Sequence, residues 1–481
     1  MRARIFAEEN RKWWTLGAVA FGLFMIMLDN TVVNVALPSI GRDFNIPQSQ
    51  FSTLEWVVNG YALTFAVLML TGGKLADLLG RRRIFIAGLA IFTLSSLACG
   101  LAGSAHVLIG ARVIQGVGAA LMNPATLSII TATFPPRQRG MAIGIWAGVS
   151  ALALAIGPLV GGLITEQVSW SWVFFINVPV GILGIIVARL VITESRDESE
   201  VQRLDLPGLL VSGGALFSLT YALIEANKHG WTSPLILSLF AAAAVGLVAF
   251  VLLELHQRAP MLDVSLFKNP TFAGANTVML LVGLAMFGVF FYVSLYVQNV
   301  LGYSPTQAGA IFLPMTILIV LLAPVAGRLS DHFGSRWLMG TGMLFLSVSL
   351  LLDSRFDVNT NFWGLLPPLL VGGVGMSFAM TPTTAAAMGS VPVDKAGVGS
   401  AVLNSMRQVG GTLGIAVMGA IVASYVSAVP PDPRVKTQFV QGFQHAVLFG
   451  AALALVGAAV AVATVRKYRE PEARAAAVEP A

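Results

Sequence analysis

Long apolar runs follow one another along almost the whole chain, and short polar segments separate them. A helix needs about 20 apolar residues to cross a bilayer. The runs are continuously apolar and do not alternate, which favours helices over the strands of a barrel. The pattern predicts an all-α integral membrane protein with 14 transmembrane helices. The predicted spans are 13–38, 53–73, 84–104, 106–133, 141–165, 172–192, 206–226, 234–254, 270–298, 307–326, 337–352, 364–388, 397–428 and 442–465.

The composition agrees with this pattern and excludes several classes of protein. Of the 481 residues, 56% are hydrophobic and 11% are charged, whereas soluble domains carry about 25% charged residues. The single cysteine, Cys99, excludes a disulfide framework and a cysteine-based metal centre. The five histidines are dispersed near the predicted span ends and form no ligand pattern. We therefore expect no metal and no cofactor.

The first apolar run follows a basic segment, as the core of a secretory signal does. It continues to Pro38, however, which makes it longer than the ~7–15 residues of a signal core. We therefore interpret it as a retained first span.

The basic residues indicate the orientation of the chain. With the N-terminus in the cytoplasm, 22 of the 29 lysines and arginines fall in cytoplasmic segments and 5 in outer loops. Loops rich in lysine and arginine stay on the cytoplasmic side, so we expect a multi-pass protein of the inner (cytoplasmic) membrane with both termini in the cytoplasm. The basic residues are spread over many short loops. The net charge of +6 therefore does not indicate nucleic-acid binding.

Two inner loops repeat one another. Glycine, aspartate and glycine occur in both with the same spacing, 254 residues apart. Internal repeats are typical of transporters that rock two halves about a central site. We predict two six-helix bundles related by pseudo-symmetry, with two inserted helices between them. The repeated positions are Gly73, Asp77 and Gly80, and Gly327, Asp331 and Gly334. The predicted domains are 13-192 (N-terminal bundle), 193-269 (inserted pair with its loops), 270-465 (C-terminal bundle) and 466-481 (cytoplasmic tail).

Few ionisable residues lie at membrane depth, and each is a functional hypothesis because a charge inside the bilayer is costly. Asp29 in the first span and Arg112 in the fourth lie at similar depths. Asp29 is therefore a candidate proton carrier that a moving Arg112 would switch, and the alternative is a permanent ion pair that fixes the two spans together. Glu55 and Glu225 are further candidates for proton coupling, with a position at the membrane interface as the alternative.

Polar side chains inside the spans are candidates for a substrate cavity. Asn30 and Asn34 lie one turn apart and would face either a cavity or a neighbouring helix. For Arg407 and Gln408, packing against a neighbouring carbonyl is the alternative to a substrate contact. The other candidates for the substrate cavity are Asn59 and Gln115.

Several motifs, taken together in their order and spacing, resemble a known family. They are Leu28–Pro38 in the first span, the loop Gly73–Arg83, Arg112–Ala120 in the fourth span, and Gly144–Gly162 in the fifth, where Ala153 replaces the usual glycine. From about residue 13 to 465 the chain resembles the major facilitator superfamily. Within it, the chain is similar to the fourteen-helix drug:proton antiporters of the EmrB/QacA type.

The resemblance implies a proton-coupled secondary antiporter that exports lipophilic drugs or toxic compounds by alternating access. Its partners would be a small lipophilic or cationic substrate, protons and the lipid bilayer, and a requirement for an outer adaptor protein is left open. The resemblance implies a cytoplasmic gate formed by Gly73, Asp77, Gly80, Arg81, Arg82 and Asp331. It also implies an antiporter motif that joins the two halves, formed by Gly144, Gly157, Pro158, Gly161 and Gly162.

Two other functions compete with this interpretation. The same scaffold would serve a dedicated exporter of an endogenous metabolite or antibiotic. A membrane-embedded enzyme is disfavoured, because it would need convergent nucleophile, base or metal groups that the sequence does not offer.

Overall fold

Long α-helices make up almost all of the protein. The computed structural model describes residues 8–47, 51–196, 204–257, 260, 262–391, 396–427, 432 and 434–466. The helices of the first part are α1 (Glu8–Asp43), α2 (Phe51–Leu79), α3 (Arg81–Gly100), α4 (Ala105–Thr133), α5 (Pro136–Gln167) and α6 (Trp172–Phe175 continued by Asn177–Val191). Two more follow, α7 (Leu206–His229) and α8 (Pro234–His256). The last part contains a short 3₁₀ helix (Val264–Lys268), α9 (Pro270–Leu295, closed by a π-helical turn at Tyr296–Val300), α10 (Pro305–Ala310 continued by Leu313–Phe333), α11 (Ser335–Asp353), α12 (Phe362–Gly389), α13 (Ala396–Tyr425) and α14 (Arg434–Thr464).

In the part of the chain that the structure describes, 13 helices are long and apolar enough to cross a membrane. The remaining predicted span, 141–165, lies within α5, where the surroundings of several residues are outside the described set. The prediction of an all-α, multi-pass membrane protein is confirmed. The number of 14 spans stays a prediction.

Side chains at the helix starts pair with backbone N–H groups that would otherwise lack a partner. Asp205 caps α7, Ser233 caps α8 and Asn269 caps α9, each by accepting a bond from the first turn. Proline follows within two positions in all three helices, where its missing N–H costs little. The sequence therefore fixes these boundaries locally.

The turns that follow α2 and α10 have the same backbone form. Each contains a glycine in the left-handed region, Gly80 at φ +107° and Gly334 at φ +83°. A side chain is strained at these angles, so both turns require glycine. The repeated loops of the sequence are therefore equivalent in structure.

Successive helices run in opposite directions, so the protein has two ends. At one end Arg11 donates to the Val191 carbonyl and Lys12 donates to Gln138, which joins the starts of α1 and α5 to the end of α6. The turn Arg81–Arg83 lies at the same end. We call this end the basic end and the other the opposite end.

The first six and the last six helices pack in the same way. α1 packs on α5 as α9 packs on α13, and α3 packs on α4 as α11 packs on α12. Gly157 and Gly161 of α5 lie close to α1, and Gly410 and Gly414, 253 residues later on α13, lie close to α9. We call α1–α6 the N-terminal bundle and α9–α14 the C-terminal bundle. The residue boundaries of the predicted domains stay a prediction, and most of the tail 466-481 lies outside the described residues.

The helices α7 and α8 pair with each other on the outside of the two bundles. α7 also packs on α2 and α13, so it contacts both bundles. Trp56 of α2 packs on Phe217 and Tyr221 of α7, and Asn227 of α7 donates to the Ala420 carbonyl of α13 over 2.7 Å. α8 is largely exposed, as expected for a helix that faces lipid.

The two bundles are joined at the opposite end. Ser294 of α9 donates to the Asn34 carbonyl of α1 over 3.0 Å, and Gln298 donates to the Val35 carbonyl over 3.0 Å. We call this contact region the seam. Its members on the N-terminal side are Asn34, Val35, Glu55, Pro158, Gly162 and Glu166, and those on the C-terminal side are Tyr292, Ser294, Gln298, Pro305, Thr306, Gly309 and Gly419.

Candidate functional site

Asp29 of α1 and Arg112 of α4 form an ion pair inside the N-terminal bundle. The distance between Arg112 Nη1 and Asp29 Oδ2 is 2.5 Å, and the two side chains are 1% and 0% exposed respectively. Both charges are removed from water, so each depends on the other for compensation. The structure therefore brings together the two residues that the sequence placed at similar depths.

Gln115, one turn along α4, closes this pair into a ring of three side chains. Its Oε1 accepts from Arg112 over 2.7 Å, and its Nε2 donates to Asp29 Oδ1 over 3.1 Å. The same amide donates to Ser96, which also accepts from Asn177 of α6 over 3.0 Å. Gln115, predicted for a substrate cavity, is fully buried in this network.

Arg112 has partners besides the carboxylate. Its Nε donates to the Val57 carbonyl of α2 over 3.1 Å. The centre of its guanidinium lies 4.2 Å from the Tyr61 ring centroid and 5.7 Å from that of Phe174, within the range of cation–π attraction. Besides Asp29, the guanidinium therefore has four sources of stabilisation, which are Gln115, the Val57 carbonyl and the rings of Tyr61 and Phe174.

Glu55 lies in the seam. It is 2% exposed because it is covered by neighbouring helices, and the alternative of a position at the depth of the membrane interface stays a prediction. The Tyr292 hydroxyl of α9 donates to Glu55 Oε1 over 2.7 Å. A Cβ at Gly419 of α13 would collide with the Glu55 carboxyl group, so a glycine is needed for three helices to meet here.

Glu225 lies at the end of α7. Its side chain is 10% exposed and pairs with Lys228 over 3.7 Å and with His229 over 3.9 Å, and Lys228 is well exposed. Glu225 is also close enough to Glu55 for the two carboxyl groups to repel each other. The residue therefore connects the end of the inserted helix with the seam.

The predicted asparagines differ in their surroundings. Asn34 donates to the Asn30 carbonyl over 3.4 Å, but its own Oδ1 has no hydrogen-bond partner among the described residues. Asn59 is completely buried, and neither its nitrogen nor its oxygen has a partner there. Asn30 is half-buried. Unpaired buried amides are costly, which marks Asn34 and Asn59 as places where a ligand or water would be stabilised.

Arg407 of α13 is a half-buried cation that lacks a partner in the part of the chain that the structure describes. Its guanidinium makes no hydrogen bond or ion pair with any residue that the structure describes. Both alternatives for Arg407, a substrate contact and packing against a neighbouring carbonyl, stay predictions. Gln408 beside it is buried. An unpaired arginine at this depth favours a role toward a ligand over a role in packing.

The predicted gate residues of the first repeated loop contact their own bundle in this conformation. Arg81 donates to Asp77 one turn earlier over 2.9 Å. The Arg82 backbone donates to Glu194 Oε1 over 3.0 Å, and the Arg82 and Arg83 side chains each lie 3.7 Å from Glu194 Oε2. The loop is therefore docked on the segment that follows α6.

Two other predicted gate residues are less informative. A Cβ at Gly73 would make only an ordinary contact with Pro124, whereas one at the adjacent Gly72 would collide with the Ala120 backbone of α4. The close approach of α2 and α4 thus occurs at Gly72, one residue before Gly73, and the gating role of Gly73 stays a prediction. Asp331 lies outside the residues whose side chains are described.

The antiporter motif lies where α5 meets both bundles. A Cβ at Gly157 would collide with Thr31 of α1, and one at Gly161 would lie 2.7 Å from the Val32 carbonyl. A Cβ at Gly162 would instead collide with Pro305 of α10 in the other bundle. Gly309 of α10 lies equally close to the backbone of Pro158. Gly144 is outside the residues whose surroundings are described.

The sequence did not single out several residues that the structure places at these sites. Tyr61, Ser96 and Glu194 have no local signal beyond ordinary composition. Asp353, at the last position of α11, is 5% exposed and makes no side-chain hydrogen bond with a described residue. It lines a cavity of about 20 Å³ with Ser349 and apolar side chains, room for one water molecule.

The fold and the site together define a helical membrane transporter built from two related bundles. The family model described as Major Facilitator Superfamily matches residues 19–415, and a second match covers residues 275–480. The chain belongs to the major facilitator superfamily, as the sequence motifs predicted.

Relatives of known name match over most of their length. The chain is 36% identical to the "Tetracenomycin C resistance and export protein" of Streptomyces glaucescens, over 92% of this chain and 83% of that protein. It is 35% identical to "Puromycin resistance protein pur8" of Streptomyces alboniger, over 98% and 95% respectively. It is 38% identical to "Multidrug resistance protein Stp" of Mycobacterium tuberculosis, over 86% and 76%.

Solved structures share the fold at low sequence identity. A bacterial homologue of the human lysosomal transporter Spinster, in an inward-facing and unoccupied conformation, superposes with a TM-score of 0.68 at 17% identity, over 96% of this chain and 99% of that one. A D-xylose–proton symporter superposes with a TM-score of 0.68 at 14% identity, over 95% and 98%. Both comparisons support the transporter fold.

Proposed function

We propose that this protein is a proton-coupled antiporter of the fourteen-helix branch that exports lipophilic antibiotic-type compounds. The printed names of its relatives support export and drug resistance, since they include a resistance and export protein and a multidrug resistance protein. The observation that carries proton coupling is the buried Asp29–Arg112 pair. A carboxylate held by one arginine gains or loses a proton when that contact changes.

The proposed coupling step is an exchange of partners around Arg112. Protonation of Asp29 removes the negative charge, and Arg112 then depends on Gln115, the Val57 carbonyl and the Tyr61 ring. Export in one direction and proton uptake in the other follow if the two bundles rock between the protonated and the ionised states. The alternative is a static ion pair that only fixes α1 against α4.

The proposed orientation places the basic end in the cytoplasm, because lysine- and arginine-rich loops remain on that side. The start of α1 lies at this end, and the backbone N–H of Arg466, just after α14, donates to Thr271 at the start of α9. Both termini would therefore be cytoplasmic, and the seam would close the protein toward the outside of the cytoplasmic membrane.

Two features support a lipophilic, polar-tipped substrate. An apolar groove of about 430 Å³ lies between α1 and α5 near the basic end, with Trp13, Phe21 and Ile145 among its lining residues. Arg407 and Asn34 offer polar groups without a partner among the described residues. Arg407 favours substrates with an acceptor or anionic group over purely cationic ones.

A dedicated exporter of one endogenous metabolite or antibiotic is the second candidate. Names such as "Puromycin resistance protein pur8" and "Methylenomycin A resistance protein" refer to single compounds. Efflux from overexpressing cells, screened with a panel of chemically different antibiotics, separates the two. Export of several unrelated compounds supports the multidrug function, and export of one supports the dedicated exporter.

The proposal is tested in proteoliposomes with an imposed pH gradient and a substrate found in that screen. We expect uptake into the lumen to follow the gradient and to release protons in proportion to substrate moved. Substrate movement that is unaffected by the gradient would contradict proton coupling. Addition of purified outer-membrane partners is unnecessary in this assay, so activity without them also shows that transport across this membrane needs no adaptor.

A further inference from the structure

The seam contains a carboxyl group that is poorly compensated as an anion. Glu55 is 2% exposed, and its Oε1 accepts one hydrogen bond, from Tyr292. Its Oε2 has no hydrogen-bond partner, and no cation lies within ion-pair distance of it, among the residues that the structure describes. An ionised carboxylate needs several donors or a counter-charge when it is removed from water. The closed seam therefore favours the neutral, protonated form.

The contacts described for Glu55 come from α9 and α13, and α7 adds a nearby carboxylate. A buried cation on α4, Arg112, donates to the Val57 carbonyl two residues along α2, but its charge is paired with Asp29. α9 contributes the uncharged Tyr292, and α13 contributes Gly419, which has no side chain. α7 contributes Glu225, whose carboxylate is close enough to repel an ionised Glu55 and is only partly offset by the well exposed Lys228. On α2 itself, the nearest polar neighbour one turn along is the neutral Asn59, with both polar atoms unpaired.

We propose that Glu55 is a second proton-binding site, separate from Asp29, and that its protonation holds the seam closed. When the seam opens, water reaches the carboxyl group and the anion becomes stable. The closed form thus binds the proton more tightly than the open form. By linkage, closure is favoured at low pH and is lost as the pH rises, with a population ratio that changes about tenfold per pH unit for one proton.

The inserted helix α7 influences the protonation of Glu55 through Glu225. Glu225 acts on Glu55 through its charge, so we assign it the role of a positioning residue. Its neutralisation makes an ionised Glu55 less unfavourable in the closed seam. The inference rests on the proposed function only in that closure of the seam is one half of the transport cycle.

The test measures the seam directly and does not measure transport. Spin labels are attached at Val168→Cys and Val358→Cys, two exposed positions in loops at the opposite end, one in each bundle. The native Cys99 is fully buried and remains unlabelled. Distances are measured by pulsed electron resonance on the full chain in nanodiscs, between about pH 5 and pH 9. We expect one short distance at low pH and a second, longer distance that grows as the pH rises.

The variants separate a proton site from a merely structural contact. Glu55→Gln keeps the acceptor for Tyr292 without a titratable group, so the short distance should persist at every pH. Glu225→Gln should keep the transition but move it to higher pH, which a purely structural role would not do. Tyr292→Phe should lose the short distance in part at all pH values. Asp29→Asn should still show a pH-dependent change of this distance, because Glu55 still titrates in that variant.

Two results would overturn the proposal: a Glu55→Gln protein whose distances still change with pH as in the wild type, or a wild type whose distances do not change. If the distance no longer changes with pH in Asp29→Asn but still changes in Glu55→Gln, the proton that controls the seam binds at Asp29 instead. The distance measurement uses no substrate. It therefore tests proton control of the seam independently of proton-driven export in proteoliposomes, and either can fail without the other.

Discussion

Gly162 of α5 lies directly against the backbone of Pro305 in the other bundle. A Cβ at position 162 would collide with the Pro305 carbonyl, and Thr306 beside it donates its backbone N–H to Glu166. The two bundles therefore approach each other here to a distance that only glycine permits. The predicted antiporter motif thus includes a glycine that lies at a contact between the halves.

We predict that Gly162→Ala reduces transport by about tenfold or more while the protein still folds. An added methyl group in a close-packed contact costs about 1–3 kcal/mol, and here the cost falls on closure of the seam and not on either bundle. Transport is measured in proteoliposomes. Gly148→Ala, on the same helix with no atom within 4 Å of the added Cβ, is the matched control and should behave as the wild type. Equal activity of the two variants would contradict the role of Gly162.

Asp29→Asn should abolish proton-driven export with normal abundance in the membrane. Asparagine preserves the size of the side chain and a contact with Arg112, but it cannot exchange a proton. The expected loss is at least about tenfold in the rate driven by a pH gradient. Counterflow of substrate without a gradient should be less affected. Wild-type export by this variant would eliminate Asp29 as the coupling residue.

Arg112→Met should destabilise the protein strongly, because it leaves Asp29 as a buried, unpaired charge. Removal of one partner of a buried ion pair costs about 3–5 kcal/mol. The double variant Asp29→Leu with Arg112→Met should recover most of that stability in thermal unfolding but none of the transport. Recovery of both would show that the pair is needed only for structure, and recovery of neither would show that Arg112 acts mainly through Val57 and Gln115.

Gly80→Ala and Gly334→Ala should each lower stability by about 1–3 kcal/mol, since alanine is strained at their positive φ angles. At Gly80 the added Cβ would also approach the Glu194 carboxyl group to 2.7 Å. We therefore expect the larger loss of thermal stability at Gly80. Gly103→Ala, with open space around the Cβ, serves as the control. A Gly80 variant as stable as this control would contradict the docked loop.

The order of the spans was predictable because an apolar run of bilayer length has few alternatives to a membrane-spanning helix. The span 172–192 matches the observed Trp172–Val191. The first helix extends beyond the predicted 13–38, to Glu8 and Asp43. Polar residues outside the bilayer continue the helix, whereas a prediction from hydropathy stops where the polar residues begin. Regular backbone hydrogen bonding, unlike hydropathy, does not stop at the membrane surface.

The ion pair was predictable for a different reason. Charges at membrane depth are few, so Asp29 and Arg112 could be paired by depth alone. The contact of Glu55 with Tyr292 joins residues 237 positions apart, and a buried tyrosine in an apolar helix gives no signal of a partner. Glu194 was hidden in a loop of mixed charge. Only the packing of helices in three dimensions reveals such contacts.

The position of α7 has a mechanical consequence. Phe217 and Tyr221 of α7 pack on Trp56 of α2, and Asn227 of α7 donates to the backbone of α13. One helix therefore bridges the line along which the two bundles meet. If the two bundles rotate relative to each other, either one of these two contacts breaks or the bundles turn about α7. The inserted helices would then determine the axis and the amplitude of the rotation between the two bundles.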